Sequence, residues 1–257
     1  MNEIRTVALI GNGNVANALG HAWQRQGIHI AVFCNRSGVL PEGFEANDAT
    51  IVSQPRDISS RVDAVLIATS DDAVFDVIAE LPAGPFFIHF SGCLPNPKTP
   101  GAVLWPIQSI VPGTNDSNQS FPMAISCDSE HLGVVTAFAD LIASEMHVLT
   151  ELERQTAHIT AVFAANFTNH CFAIAQELCE RAGLSWELFR PITECIALQG
   201  VTGISAMHQT GPSIRKDQTV IDAHQELLDQ HPEFKSVYSA LNASIQSFHH
   251  SPENKKQ

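Results

Sequence analysis

Short, nearly unbroken apolar runs alternate with amphipathic stretches through the first half of the chain. Residues 6–10 (TVALI), 29–34 (HIAVFC), 63–69 (DAVLIAT) and 86–90 (FFIHF) lack the strict apolar–polar alternation of a strand with one wet face. Each predicts a strand covered on both sides, as in a parallel sheet. Between them, residues 14–26 and 72–81 carry helical periodicity, the second with Ser70 or Asp71 as its N-cap, and a brief strand is expected at 50–52. Past Ser91 the pattern breaks into a Pro- and Gly-rich loop at 92–101. Strands at 102–105, 123–127 and 146–149, with a helix at 130–143, then extend the same sheet. From residue 152 onward the spacing is helical throughout. One long helix over 152–182 stops at Gly183, and others cover 185–199, 218–230 and 233–248. The pattern therefore predicts an α/β chain: a doubly wound, mostly parallel sheet in residues 1–150, an all-α domain over 151–250, and a flexible tail at 251–257.

The first strand runs directly into Gly11-Asn12-Gly13-Asn14-Val15-Ala16, and a helix follows at once. Strand, glycine turn and helix in that order form the dinucleotide-binding fingerprint of a Rossmann domain. Gly11 permits the tight turn, Gly13 lets the backbone approach a pyrophosphate, and Ala16 allows the helix to pack close to the strand. The free N–H groups of the helix N-terminus face the phosphates. The second strand ends Cys34-Asn35-Arg36-Ser37, with no carboxylate to take a ribose 2′-hydroxyl. A guanidinium there suits a 2′-phosphate, with Asn35 and Ser37 adding hydrogen bonds, so the expected cofactor is NADP (NADPH) rather than NAD or FAD. Ligands of open α/β sheets sit beyond the carboxyl ends of the strands, which puts Thr69, Ser70, Asp71 and Ser91 along the nicotinamide path. Ser91 could equally be an ordinary turn residue, while Gly92 allows close backbone approach.

Composition narrows the classes. Of 257 residues, 44% are hydrophobic and 16% charged, enough for a sizeable core and too few charges for a disordered chain. A net charge of −13 without a basic run argues against a nucleic-acid footprint. The apolar stretch at 159–175 is interrupted by Asn166, Thr168, Asn169 and His170 and is too polar to span a bilayer. The first strand begins almost at Met1, so no signal peptide is expected and the chain reads as cytoplasmic. Its six cysteines then read as reduced, mostly buried thiols, and its histidines form no ligand set, so no metal is expected.

Around residues 159–175 the helix is apolar almost all round and should be buried on most sides. His158, Val162, Asn166 and Asn169 share one stripe. Either these polar groups satisfy neighbouring loops or a subunit interface, or the stripe faces a substrate. A second unusual segment, Thr210-Gly211-Pro212-Ser213-Ile214-Arg215-Lys216-Asp217, lies between helices. There Asp217 could cap the next helix, and Arg215 could pair with Asp217 or bind an anionic substrate.

These motifs, together with Thr69-Ser70-Asp71-Asp72-Ala73, Phe90-Ser91-Gly92, Trp105-Pro106-Ile107-Gln108-Ser109 and Ala161-Val162-Phe163-Ala164-Ala165-Asn166-Phe167, make the chain resemble a known group. It is similar to Rossmann-like proteins with a C-terminal helical domain of unknown function. These are relatives of pyrroline-5-carboxylate reductase, ketopantoate reductase and the 3-hydroxyacid dehydrogenases. Two positions depart from the pattern: Trp105 stands where the group usually has histidine, and Val162 where 3-hydroxyacid dehydrogenases carry a catalytic lysine. The resemblance implies an NADP-dependent oxidoreductase, dimeric through the helical domain, acting on a small polar carbonyl or imine in a cleft between the domains. Asn166 would polarise the substrate, aided by Ser91 and Thr210, and Gln108, Asn169 and Arg215 would contact it. Because the lysine is missing, a non-catalytic NADP(H)-binding sensor is the alternative.

Overall fold

A computed structural model describes residues 3–45, 48–59, 61–97, 100–111 and 120–250. The chain forms two compact units, Met1–Ala165 and Asn166–Gln257. The division expected near residue 150 falls inside the first unit, because the helix that follows it is tied by hydrogen bonds to a loop of the sheet domain. The tail expected to be flexible, 251–257, lies outside the described residues.

The first unit is an eight-stranded sheet in the order β3-β2-β1-β4-β5-β6-β7-β8. Its strands are β1 Thr6–Ile10, β2 His29–Cys34, β3 Thr50–Val52, β4 Ala64–Ile67, β5 Phe86–His89, β6 Gly101–Pro106, β7 Phe121–Cys127 and β8 Ala143–Val148. The pairs through β6 are parallel; β7 runs antiparallel to β6, and β8 runs parallel to β7. This is the expected α/β class, and the late strands do extend the one sheet. Three helices serve it: α1 Asn14–Arg25, α2 Val74–Glu80 and α3 Leu132–Asp140. The helix expected at 130–143 is shorter at both ends, and residue 143 belongs to β8.

Alternation along the central strands explains the doubly apolar runs. Val7 and Leu9 join an apolar layer with Trp23 and Phe138, whereas Ala8 and Ile10 join the opposite layer with Val65, Ile67 and Val74. Trp23 is fully buried, and its Nε1 donates to the Phe138 carbonyl at 3.0 Å, so its one polar atom is satisfied. Each fully buried Leu, Ile or Phe of these layers contributes about 1.5–3 kcal/mol of transfer free energy.

Helix α4, Glu151–Ala161, begins with a capping box in which Thr150 accepts from the Glu153 N–H and the Glu153 carboxylate accepts from the Thr150 N–H. The single helix expected over 152–182 is interrupted. Val162–Phe167 widens into a π-helical turn, and α5 resumes at Thr168–Arg181. The stripe of His158, Asn166 and Asn169 is too sparse in a largely apolar stretch to reveal such a change of winding. Beyond it, the second unit contains α6 Arg190–Val201, α7 Pro212–Arg215, α8 Gln218–Leu227 and α9 Pro232–His250. Lys216, between α7 and α8, is left-handed at φ 56°, an uncommon conformation for a residue with a side chain. Among the described residues of this unit only Cys179, Ser213, Ile221 and Leu228 are buried.

The burial expected for the apolar helix near 159–175 is therefore not met within one chain: Ile159 is 57% and Phe163 63% exposed. The cysteine expectation also needs correction. Cys34 and Cys179 are buried, but Cys93 is exposed on the loop after β5, and Cys171 and Cys195 are exposed on helices of the second unit, which carry little cover. Among the described residues no helix is long and apolar enough to cross a membrane, and no group of three metal-ligating side chains forms.

Candidate functional site

The chain order β1, β2, β3 runs outward from the centre of the sheet, and β4 returns to the other side of β1. The switch point thus lies between β1 and β4, where a crevice opens beyond the strand ends. Gly11 leaves β1 at φ 115°, and a Cβ there would lie 2.3 Å from the Ala68 carbonyl oxygen. Only glycine fits this turn. A Cβ on Gly13 would meet nothing within 4 Å, so the backbone faces open space where α1 begins. No acidic residue occupies the first turn of α1, and among the described residues Asn17 Oδ1 is buried there without a hydrogen-bond partner.

A cavity of about 420 Å³ occupies the crevice. It gathers Gly13, Asn14, Val15, Thr69, Ser70, Asp71, Ser91 and Gln108, all expected site residues, with Phe90 and Trp105 as apolar walls. Gly11, Asn12 and Ala16 belong to the same loop and helix start but do not line it. The Ser91 hydroxyl donates to Asp71 Oδ2 at 2.7 Å and accepts from the N–H groups of Cys93 and Leu94 at 3.2 and 3.1 Å. Ser91 is therefore both a turn-forming residue and a member of the cavity wall. The two readings open from sequence are compatible.

Two residues that sequence reasoning missed support this wall. His89 is fully buried in β5; its Nε2–H donates to the Pro95 carbonyl at 3.1 Å, and its Nδ1 accepts from the Ser91 N–H at 3.3 Å. These bonds fix one neutral tautomer. Burial pushes its pKa below the ordinary imidazole value; the Pro95 bond opposes this shift and the nearby Arg154 charge reinforces it. Arg154 of α4 is fully buried under the loop that Ser91 begins. Its signal was helical spacing: Arg154 shares an inward face with Ala157 and Ala161, which pack on Val103 and Trp105. His158 is explained structurally, since its ring meets Trp105 edge-on at 5.3 Å.

At the other end, β2 delivers Asn35, Arg36 and Ser37. The Asn35 amide donates to the Val39 carbonyl at 2.8 Å, and its Oδ1 accepts from Ser37 at 2.6 Å. Both residues thus hold the turn, while Arg36 is exposed and forms no ion pair among the described residues. The residues present fit a phosphorylated dinucleotide: an open glycine cradle, a helix N-terminus clear of carboxylates, and a free guanidinium past β2.

Asn166, Asn169, Thr210 and Arg215 lie in the second unit, all exposed. Asn166 sits in the π-helical turn, a kind of irregularity frequent at functional sites. Asp217 stands at the N-cap of α8 but makes no side-chain cap bond, and no Arg215–Asp217 ion pair forms among the described residues.

Residues 6–89 match the family described as "NADP oxidoreductase coenzyme F420-dependent", and residues 121–245 match a domain of unknown function, DUF2520. No curated protein matches the chain. Among solved structures it is similar to a provisionally named NADP oxidoreductase from Bacteroides fragilis, with 24% identity, a TM-score of 0.80, and coverage of 96% of this chain and 99% of that one. It is also similar to protein TM1727 from Thermotoga maritima, at 16% identity and TM-score 0.67 over 98% and 100% of the two chains. An imine reductase from Myxococcus stipitatus in complex with NADP+ shares the fold at 14% identity and TM-score 0.64, over 94% and 93%.

Proposed function

We propose that this chain, an NADP-dependent oxidoreductase joining a coenzyme-F420-dependent-type NADP oxidoreductase domain to a DUF2520 helical domain, moves a hydride to or from a small polar carbonyl or imine. The observation that carries the reading is the crevice at the β1/β4 switch point. An open glycine amide and a hydrogen-bonded Ser91–Asp71 pair line one cavity there. The fold shared with an imine reductase supports the substrate class.

NADPH supplies the hydride when bound, and the chain supplies orientation and electrostatics. The amides at the start of α1 hold the pyrophosphate, and Arg36 clamps the 2′-phosphate. Thr69, Ser70, Asp71 and Ser91 flank the nicotinamide end. Asn166 polarises the carbonyl or imine, with Ser91 and Thr210, while Gln108, Asn169 and Arg215 orient the substrate. Residues 151–250 serve the substrate and a homodimer interface. An apolar groove of about 420 Å³ in the second unit, and the exposure of Leu188, Ile192, Leu198 and Val201 at 66, 63, 70 and 86%, support the dimer. A cytoplasmic setting is part of the proposal.

The test is NADPH oxidation at saturating cofactor against a panel of cyclic imines, aldehydes and keto acids. Turnover with one class is expected, and Asn166→Ala should lower it while NADPH affinity stays near normal. Arg36→Ala should weaken NADPH by about 1.5–3 kcal/mol, the strength of a charge-assisted hydrogen bond, and leave NADH unchanged. NADPH binding without turnover across the panel supports the sensor instead, a reading favoured by Val162 at the lysine position.

A further inference from the structure

Between β5 and the parallel β6 the chain crosses over with no helix among the described residues. Such crossovers usually satisfy their own backbone within a helix. Here the loop contains Pro95 and Pro97, which lack N–H groups, and its carbonyls must find donors elsewhere. Helix α4 provides them. Arg154 Nη1 donates to the carbonyls of Ser91 and Gly92 at 3.1 and 2.8 Å, and Nη2 to the carbonyl of Leu94 at 2.6 Å and Oδ1 of Asn96 at 3.4 Å. Nε donates to Ser126 Oγ at 3.1 Å. All five guanidinium N–H groups are used, and every acceptor is neutral. On either side, the Gln155 side chain donates to the Cys93 carbonyl at 3.0 Å, and the Glu151 carboxylate accepts from the Asn96 N–H at 2.9 Å.

A buried guanidinium with no carboxylate in salt-bridge contact carries a large desolvation cost, which the nearby Glu151 charge offsets only in part, so stability is a poor account of its placement. What it touches is the back of the cavity wall. A Cβ on Gly92 would lie 2.4 Å from the His158 ring and 2.8 Å from the Trp105 ring, so a small shift of the loop displaces Trp105 as well as Ser91. We propose that Arg154 is a positioning residue: its planar fork gathers the Ser91–Asn96 loop so that Ser91 and Trp105 shape the nicotinamide end of the cavity. The inference rests on the NADP-binding reading above. Lysine cannot replace the fork, because an ammonium offers three donors in a tetrahedral arrangement. The adenosine end should be insensitive. Arg36 follows β2 and Ser91 follows β5, three strand spacings apart in the order β2-β1-β4-β5, or about 14 Å at ~4.8 Å per spacing.

The experiment compares two probes on the full chain and on Arg154→Lys and Arg154→Ala. One probe is NADPH, and the other is 2′,5′-ADP, which lacks the nicotinamide. NADPH should bind at least tenfold more weakly to both variants, and 2′,5′-ADP should stay within twofold of the native chain. Guanidinium at 20 millimolar, but not equimolar sodium chloride, should return the NADPH affinity of Arg154→Ala to within about threefold of native. Unchanged NADPH affinity, or parallel weakening of both probes as a purely structural residue would give, overturns the proposal. If neither variant folds, Ser126→Ala removes the Nε acceptor, along with the Ser126 bond to the Leu149 carbonyl, and leaves the four Nη bonds in place. It should show the same selective loss at about threefold, and equal effects on the two probes would overturn the idea. Amide exchange over residues 91–96 needs no ligand and should accelerate at least tenfold in the variants while β1 stays protected. Unaltered exchange sinks the positioning role even if the native chain binds neither probe, a result that would separately remove the NADP reading.

Discussion

Leu9, Leu66, Ile88 and Leu104, in strands of the first unit, are at most 1% exposed, whereas Leu188, Leu198, Val201 and Leu227 of the second unit are 66, 70, 86 and 74% exposed. The two regions have similar kinds of apolar side chain and opposite fates. A parallel sheet buries both faces under helices supplied by its own connections, so a single chain can complete it. Helices without a sheet must cover one another. In the second unit α7 packs with α8 and α9, while α5 and α6 leave an apolar groove lined by Phe172, Trp186, Phe189, Ile192 and Ile196. The sheet of the first unit is self-sufficient in its burial, and the second unit leaves apolar side chains exposed, the surface on which the proposed dimer rests.

The comparison breaks most visibly if the second surface needs no partner. Ile196→Asp combined with Val201→Asp should weaken self-association by a hundredfold or more, about 3 kcal/mol, as measured by sedimentation equilibrium. NADPH affinity should remain within about threefold, because the glycine loop and its strands belong to the self-sufficient unit. A native chain that is monomeric at every concentration would dissolve the contrast.

A smaller effect probes the first unit alone. Gly11→Ala places a methyl group 2.3 Å from the Ala68 carbonyl oxygen at φ 115°. It should cost about 2–4 kcal/mol in denaturant unfolding and abolish NADPH binding. Gly133→Ala, in α3 with nothing within 4 Å of the new Cβ, should instead stabilise by about 0.5–1 kcal/mol. Equal and small changes at both glycines would remove the steric account of the turn.

The smallest expected effect concerns acid. Because the folded His89 has a pKa below the ordinary value of about 6.5, the unfolded chain binds the extra proton more readily. Stability should therefore decline as pH falls below about 6.5, and recover as pH rises through that window. His89→Gln should flatten this slope while leaving the sheet intact; an unaltered slope assigns the acid sensitivity elsewhere.

Much of the site could be read from the sequence because its parts are local. The glycine loop follows β1, Thr69-Ser70-Asp71 follow β4 and Ser91 follows β5, and the rule that ligands lie beyond parallel strand ends brings them together. The place of Arg36 just past β2 was readable for the same reason, and its contact with a 2′-phosphate is part of the proposal. The supporting wall was not. His89 appears as one polar residue in an apolar strand, and Arg154 as one cation in a helix. His89 bonds to the loop that follows its own strand, and Arg154 to carbonyls of that same loop some sixty residues away, pairings that no periodicity encodes. The π-helical turn around Asn166 escaped because so few polar residues in a largely apolar stretch define too little phase to show it.

Local patterning determined the strands, the class of fold, the cradle for a pyrophosphate and the absence of an acid at the ribose position, because each depends on residues adjacent in the chain. Tertiary structure alone decided that Ser91 meets Asp71, that a buried guanidinium holds the β5–β6 crossover, and that Ile159 and Phe163 stay exposed within one chain. Those outcomes depend on which unsatisfied group finds which distant partner, and hydrogen-bond demand in a folded interior is set by packing and not by sequence order.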